Sequence, residues 1–523
     1  MSDATADPAL ETGLPIATAE AAESEAIEEH RRVRLQKLVD LEKRGINPFP
    51  MRAARQQTTA EAVALFKSEP DATQPVVSVA GRIITQMKRF GKLIFCHVTD
   101  VSGRIQLALQ FNILGQEQFE LLDLIETGDF VSATGPLFKT RTGEITIQVR
   151  SFTLLAKAVR PLPEKWHGLT DVEKRYRQRY VDLAASESVR ATFITRSRMV
   201  SAIRRFFDGR GFLEVETPIL QPLYGGAAAR PFETYHNALD RKLFLRVATE
   251  LYLKRLIVGG LDKVYEIGRN FRNEGISTKH NPEFTVLESY EAYADYNDVM
   301  SLMEQMVASV SREILGRTDV TFKEKTIQLG GQWRRLPWLE AVGEYCGVDV
   351  AAHPDRESLA RAASDAGLKV APDWNRGKIM DELVSTFVEP RLIQPTFLVD
   401  YPLEFPGSTL AKRRPGPGDL VERFEGYVGG FEICNAFTEL NDPRDQRARF
   451  EEQAEAGRAG DDEAHPMDED YIVALEHGMP PTGGLGIGID RLAMLLTDQA
   501  SIREVILFPQ LRAVITANDR SAE

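Results

Sequence analysis

Gly484, Gly486 and Gly488 alternate with Leu485 and Ile487, and this run limits the fold more than any other part of the chain. In extended backbone, alternate residues face the same side. The run therefore reads as a strand with one apolar face and one face stripped of side chains. A flat ring or a ribose can lie against such a face. Ile489-Asp490-Arg491 follows, and a helix opening there puts Arg491 at its start, where a phosphate is well received. The run is not a dinucleotide fingerprint, because Asp490-Arg491 stands where the third glycine of GxGxxG belongs. A Walker A lysine is missing too. Alone, a GxGxG strand is most often a tightly packed core strand.

Two further runs change that balance. In Phe271-Arg272-Asn273-Glu274, Arg272 and Glu274 share one face of a strand. After a polar loop over 275–281, Phe284, Val286, Glu288 and Tyr290 have one parity. An antiparallel hairpin would gather them on one surface, able to stack a base on Phe284 and hold a phosphate on Arg272. An FRxE segment by itself reads as a salt-bridged surface hairpin. In the third run, 432–439, Asn435, Phe437 and Glu439 alternate on one face. An amide, a ring and a carboxylate suit a polar or cationic ligand with an alkyl body. The plain alternative is an edge strand with Phe437 buried and Glu439 exposed.

The 523 residues allow roughly two to four domains. A hydrophobic share of 43% fits a globular chain with a sizeable core. The net charge of −13 argues against a general nucleic-acid coat, so a polyanion must meet local basic patches. Cys96, Cys346 and Cys434 are far apart and show neither zinc spacing nor a disulfide framework. A reducing compartment is the natural reading. No Lys or Arg precedes Arg31, so no signal or transit peptide is expected. No apolar run reaches the roughly 18 residues of a membrane span. The expectation is a cytoplasmic protein with no membrane contact.

Residues 1–26 read as a disordered acidic tail and 27–70 as a helical segment, with an amphipathic helix over 28–44. Residues 71–158 change to a period of two. Strands are expected at 77–84, 93–98, 104–109, 130–133 and 145–149, with a helical piece over 116–124 before the fourth. Five strands in that order suggest an OB barrel. Residues 159–185 read as a basic, proline-containing linker. The domain over 186–523 opens with a long helix over 186–210 and a strand over 212–220, then alternates strands and helices. A helical insertion is expected at about 298–395, then strand-like 396–399 and 426–439. The class is α+β.

Taken in order, the three runs resemble the class II aminoacyl-tRNA synthetases, the lysine-specific family most closely. The likeness spans nearly all the chain after the tail. It is carried by Gly211-Phe212-Leu213-Glu214-Val215-Glu216-Thr217-Pro218, by 271–288 and by 484–491. Lysine-type runs lie between them: Gly225-Gly226-Ala227-Ala228-Ala229-Arg230-Pro231-Phe232, Glu250-Leu251-Tyr252-Leu253-Lys254-Arg255-Leu256, His280-Asn281-Pro282-Glu283-Phe284, and 435–443. The resemblance implies an antiparallel-sheet catalytic domain with helices, an N-terminal five-stranded OB-fold barrel that reads the anticodon, and a homodimer joined through 186–220. It implies ATP-dependent attachment of L-lysine to tRNA(Lys) through a lysyl-adenylate, with Mg²⁺ as cofactor.

By position, the resemblance gives Arg272 the α-phosphate and Arg491 the γ-phosphate of ATP. Phe284 would stack on adenine, with Glu274, His280 and Gly488 beside the nucleotide. Gly226, Glu250, Glu288, Tyr290, Asn435, Phe437 and Glu439 would line the lysine pocket. Glu250 would meet the α-amino group and Glu439 the ε-ammonium. Glu432 and Glu439 would hold magnesium on the ATP. In the barrel, Phe95 would stack on the central anticodon uridine, with Gln106 and Glu144 at its edge and Arg82 among the anticodon contacts. Arg82, Lys88, Arg89 and Lys92 form a locally basic stretch for tRNA.

Strand parity opposes one of these assignments. An offset of seven puts Glu432 and Glu439 on opposite faces unless a bulge falls between them. Three positions depart from the usual family pattern. Thr249 stands where proline is common and is expected to cap the helix from Glu250. Phe431 stands where arginine is frequent, and 406–412 forms a longer turn. Three rivals remain. An aspartate or asparagine synthetase is opposed by the anionic Glu250, Glu288 and Glu439. A lysyltransferase acting on a translation factor would lack the barrel. An inactive RNA-binding scaffold is opposed by the intact Arg272, Glu274, Glu439 and Arg491.

Overall fold

The computed structural model describes residues 16–69, 73–163, 171–416, 418–458 and 466–512. The chain divides into two compact units, residues 1–190 and 191–523.

In the first unit, helix α1 runs Ile16–Lys43. The disordered tail expected over 1–26 is therefore wrong from residue 16 on, and the rest of it lies outside the described residues. Its Ala- and Glu-rich composition favours helix as much as disorder. Arg34 ties α1 down by donating to the carbonyls of Thr127 and Ala158 at 3.1 and 3.0 Å. Short α2 (Thr59–Ala64) is closed by a capping box of Thr58 and Glu61.

The strands that follow are β1 (Val76–Ile83), β2 (Lys88–Phe90), β3 (Leu93–Thr99), β4 (Arg104–Gln110), β5 (Phe130–Lys139), β6 (Ile145–Gln148) and β7 (Ser151–Ala156). The order β1-β3-β4-β6-β5 closes because β5 pairs back onto β1 along Val76 to Arg82. That cycle is the expected five-stranded barrel. Val77, Val79, Ile94, Cys96, Ile105 and Leu107 point inward at alternate positions and form its core. Helix α3 (Phe111–Leu121) lies earlier than expected and kinks at Gly115. Strands β2 and β7 extend the cycle and were too short or too mixed to read as strands. The expected linker over 159–185 is partly helical. It carries α4 (Val172–Arg177), capped by Asp171, and α5 (Arg179–Ala185), while residues 164–170 lie outside the described residues.

Helix α6 (Glu187–Asp208) supplies Met199, Ile203 and Phe207 to the core of the second unit. The expected strand over 212–220 is broken into β8 (Leu213–Glu214) and β9 (Leu220–Gln221), with Pro218, which has no N–H for a ladder, between them. Strand β9 joins β10 (Glu233–His236) and β11 (Arg241–Leu245) in a small sheet. Helix α7 (Glu250–Val258) leads to the hairpin of β12 (Lys263–Phe271) and β13 (Glu283–Ala292).

The expected helical insertion is only partly helical. It holds α8 (Tyr296–Leu315), the hairpin β14 (Asp319–Phe322) and β15 (Lys325–Gln328), β16 (Arg334–Pro337), α9 (Trp338–Cys346), α10 (Arg356–Asp365) and α11 (Arg376–Leu383). Strand β16 pairs parallel to β17 (Thr396–Pro402), so the segment supplies an edge of the main sheet. The expected strand over 426–439 is a hairpin of β18 (Leu420–Val428) and β19 (Phe431–Thr438). Gly429 and Gly430 turn it with φ of 67° and 82°, the conformation that favours glycine at both turn positions. Helices α12 (Pro443–Arg458) and α13 (Glu469–Glu476), strand β20 (Thr482–Gly488) and α14 (Ile489–Leu496) complete the unit.

The main sheet has the order β16-β17-β18-β19-β20-β13-β12-β8, antiparallel except at its two outer pairs. One face carries Leu287, Cys434, Ala436, Leu485 and Ile487 into a core shared with α6, α8 and α14. The glycines of β20 floor the other face.

Candidate active site

Register fixes what meets across that floor. Gly484 lies between Tyr290 and Phe437, Gly486 between Glu288 and Asn435, and Gly488 opposite Val286. The missing side chains are needed. A Cβ on Gly484 would run into the Glu439 carboxylate and stand 2.7 Å from the Tyr290 ring.

At one end, carboxylates converge. Glu250, in the first turn of α7, lies 2.5 Å from Nζ of Lys254 one turn later. The same ammonium pairs with Glu439, and Lys254 and Glu439 are almost wholly buried. The Phe437 ring lies 5.3 Å from that ammonium. Glu288 accepts from the Thr249 backbone N–H at 3.2 Å, from Asn270 Nδ2 at 3.4 Å and from the Tyr290 hydroxyl at 3.3 Å. Gly226, with φ of 86°, passes so close that a Cβ there would stand 3.0 Å from the Glu250 Cβ. Burial pushes Glu439 well above the usual carboxylate range, with Lys254 opposing. The same burial acts on Lys254, but Glu250 and Glu439 more than reverse it and hold it charged. Sequence reading assembled Gly226, Glu250, Glu288, Tyr290, Phe437 and Glu439, and the structure brings them together. It missed Lys254, whose spacing of four from Glu250 was the available signal.

Asn435 is oriented from behind. Arg423 Nε donates to Asn435 Oδ1 at 3.2 Å. Arginine only donates, so the amide oxygen faces it and the Asn435 NH₂ is turned away as a donor. Arg423 also pairs with Glu425 at 2.6 Å, and Glu425 accepts from Tyr401 and Tyr427. None of these four was singled out from the sequence.

At the other end, two guanidinium groups meet. Arg272 stands 5.1 Å over the Phe284 ring, and its backbone N–H closes the hairpin on the Pro282 carbonyl at 2.8 Å. Its Nε is buried with no hydrogen-bond partner. Arg491 lays its stem against Gly488 and donates to Oε2 and to the backbone carbonyl of Glu432, both at 2.8 Å. Burial pulls Arg272 down from the ordinary guanidinium range, with Glu274 and Glu432 opposing. His280 is held by Ser277 at 2.9 Å, and burial, then Arg491, depress it below the usual imidazole range. Glu274 lies in the exposed loop after β12. An orphaned arginine donor beside an aromatic face and a second arginine is a site for an anion carrying a flat ring.

The parity problem has its expected answer. Register slips between Gly426 and Tyr427 of β18, so Gly426 faces Cys434 while Tyr427 faces Glu432. Ile433 is the extra residue of a bulge, and Glu432 turns to the face of Asn435 and Phe437. The shared magnesium site does not follow, however. Six strand steps and one bulge leave Glu432 and Glu439 about 20 Å apart along the chain, beyond the reach of two side chains around one ion. Glu432 sits with Arg491 and Glu439 with Lys254. The assignment of both to one ion is corrected on this ground.

The three departures are accommodated. Thr249 does not cap α7: its hydroxyl is buried without a partner, and its backbone N–H serves Glu288 instead. Phe431 is buried against Phe322, ring centroids 5.4 Å apart. The turn over 406–412 is fixed by Arg423 on the Pro406 carbonyl at 2.7 Å and by Arg449 on the Ala411 carbonyl at 2.7 Å.

On the barrel, Phe95 lies on β3 two residues from His97, which pairs with Glu144 at 2.6 Å. Gln106, opposite His97, donates to Glu144 at 2.8 Å. Phe95, Gln106 and Glu144 thus share a patch, and His97, unremarked in the sequence, is its hub. Arg82 is engaged elsewhere, on the Gly128 carbonyl at 3.0 Å and over the Phe130 ring. Of the basic stretch, Arg89 is paired with Asp123 and Lys92 lies over Phe111.

Comparison with known proteins agrees with this geometry. Residues 171–512 match the family described as tRNA synthetases class II (D, K and N), and residues 77–155 match the OB-fold nucleic acid binding domain. A lysine–tRNA ligase of Carboxydothermus hydrogenoformans is 54% identical over 490 residues, covering 94% of this chain and 99% of the relative. Those of Pelotomaculum thermopropionicum and Roseiflexus castenholzii are each 53% identical, over 93% of this chain and 96% and 99% of theirs. An anionic pocket, an arginine pair on a glycine floor and a closed OB barrel in one chain thus coincide with end-to-end similarity: the chain belongs to the lysine–tRNA ligase family of class II synthetases.

Proposed function

We infer that this chain attaches L-lysine to tRNA(Lys) in two steps, using ATP. The lysine carboxylate attacks the α-phosphorus, the α–β anhydride bond breaks, and pyrophosphate leaves. A terminal ribose hydroxyl of tRNA then attacks the acyl carbon of the lysyl-adenylate, and AMP leaves. Neither step needs a side-chain nucleophile, so positioning and charge stabilisation carry the chemistry. The observation that carries this reading is one glycine-floored surface with ammonium-binding carboxylates at one end and an orphaned arginine over an aromatic ring at the other.

Adenine lies on Phe284, with Arg272 at the α-phosphate and Arg491 at the outer phosphates. Lysine's α-amino group meets Glu250 beside Gly226, its ε-ammonium meets Glu439, and its methylenes run along Phe437. Magnesium fits at Glu432, whose side chain is one-third exposed next to Arg491, because such ions take one or two carboxylates plus phosphate oxygens. When bound there it supplies positive charge to the leaving pyrophosphate. The Phe95 patch takes an anticodon base, and the 186–220 region joins two copies. The working place in this reading is the cytoplasm, where tRNA charging supplies protein synthesis; no helix among the described residues is long and apolar enough to cross a membrane. ATP–pyrophosphate exchange across a panel of amino acids, with and without tRNA charging, tests the reading. Lysine alone should support exchange and transfer. Exchange with aspartate or asparagine, or none at all, overturns it.

A further inference from the structure

Lys254 is a full-length cationic side chain with no exposed surface, in a pocket whose ligand is itself cationic. It reaches from the second turn of α7 and places one ammonium between Glu250 Oε1 and Glu439 Oε2. Each carboxylate therefore gives one oxygen to Lys254 and keeps the other. Glu250 Oε2 looks toward Gly226, and Glu439 Oε1 toward the bare Gly484 and the Tyr290 ring. Neither Glu439 oxygen has another hydrogen-bond partner. The neighbouring Arg423 does not compete, since it is matched by Glu425.

Charge counting sharpens this. Glu250, Glu288 and Glu439 bring three negative charges, and Lys254 returns one. The remaining deficit is two, which matches the two ammonium groups of a diamino acid. A pocket with three uncompensated carboxylates would be costly to bury, and one with none would not select a cation.

We propose that Lys254 is a specificity-determining positioning residue, a resident ammonium that fixes the spacing of the two substrate-ammonium carboxylates and sets their combined charge. The inference rests on the reading that this pocket holds lysine. Lys254 touches no reacting atom. It acts by turning one oxygen of Glu250 and one of Glu439 toward the substrate at a set separation, and so it measures the side chain between the two ammonium groups.

The test is ATP–pyrophosphate exchange with lysine and with ornithine, one methylene shorter, in the full-length wild type, K254M and K254R. Wild-type exchange with lysine comes first, because its absence would refute the activity itself rather than the role of Lys254. K254M should raise the KM for lysine on the order of 100-fold, leave the KM for ATP within about twofold, and reduce the lysine-over-ornithine preference at least about tenfold. A folded K254M that loses activity on both amino acids equally, with the preference unchanged, overturns the proposal, since a purely structural lysine predicts that result. If K254M does not fold, K254R decides. It keeps the charge but replaces a point ammonium by a broad planar fork, so stability should return while the preference still falls. A K254R enzyme with wild-type preference overturns the proposal.

Discussion

The two ends of the glycine-floored surface hold their charges in opposite ways. At the amino-acid end the carboxylates are buried, and a resident ammonium already spans two of them. At the nucleotide end Arg491 keeps partial exposure with a single side-chain partner, and Arg272 retains a buried donor with none. On the proposed reading, the first end is assembled before the ligand arrives and the second is completed by it. The difference suits the ligands. A small amino acid with two ammonium groups must be told from other amino acids, which calls for fixed geometry. A polyphosphate brings its own charge and needs donors left unspent.

Breaking the nucleotide end should cost most. Arg272→Ala removes the one guanidinium over Phe284, and lysine-dependent exchange should fall about 10³-fold, chiefly in kcat, a loss of roughly 4 kcal/mol. Breaking the amino-acid end should spare ATP. Glu439→Gln should lower kcat/KM for lysine on the order of 100-fold. ATP binding by calorimetry should be unchanged, and unaltered lysine-dependent exchange would refute the placement of the ε-ammonium.

Acid should separate the ends more gently. Burial raises Glu439, and in the proposed reading the substrate ε-ammonium binds its ionised form. Protonation as the pH falls therefore removes the binding species. The KM for lysine should climb as pH falls, by up to about tenfold per unit, while the arginines that face ATP keep their charge and the KM for ATP rises far less. A parallel rise in both would show that the ends are not independent. The smallest effect concerns Thr249. Replacing its orphaned hydroxyl by methyl in Thr249→Val keeps the backbone donor to Glu288. Denaturant unfolding should show a gain of about 1 kcal/mol, with both KM values unchanged.

Much of the glycine-floored surface was legible because the register of β12 and β13 runs unbroken from the Lys263–Glu291 pair to the Phe271–Glu283 pair. Phe284 at the nucleotide end and Glu288 and Tyr290 at the amino-acid end followed from counting by twos along β13, whereas Arg272, expected on a strand face with Glu274, lies just past the end of β12. The barrel cycle was legible for the same reason. Counting failed where one residue breaks the period. Ile433 reverses the face of Glu432, and no local composition announces it. The magnesium pair failed for a different reason, since parity settles which face a carboxylate takes but not how far it stands from another. Lys254 and Arg423 were passed over because a charged residue in a helix or strand reads as solvated, and only tertiary packing buries it. The linker erred because composition typical of loops also suits short capped helices, as Asp171 shows at α4, and the Ala- and Glu-rich stretch from residue 16 belongs to the long helix α1.

Strand β19 acts as a ruler. Glu432, near its start, and Glu439, the residue just past its end, mark graduations about 20 Å apart, which the proposed reading gives to the polyphosphate end of one substrate and the far tip of the other. A linear intermediate joined from both would be stretched along that scale, so shortening or lengthening β19 by a single residue would misalign the reacting carbon and phosphorus even with every contact residue retained.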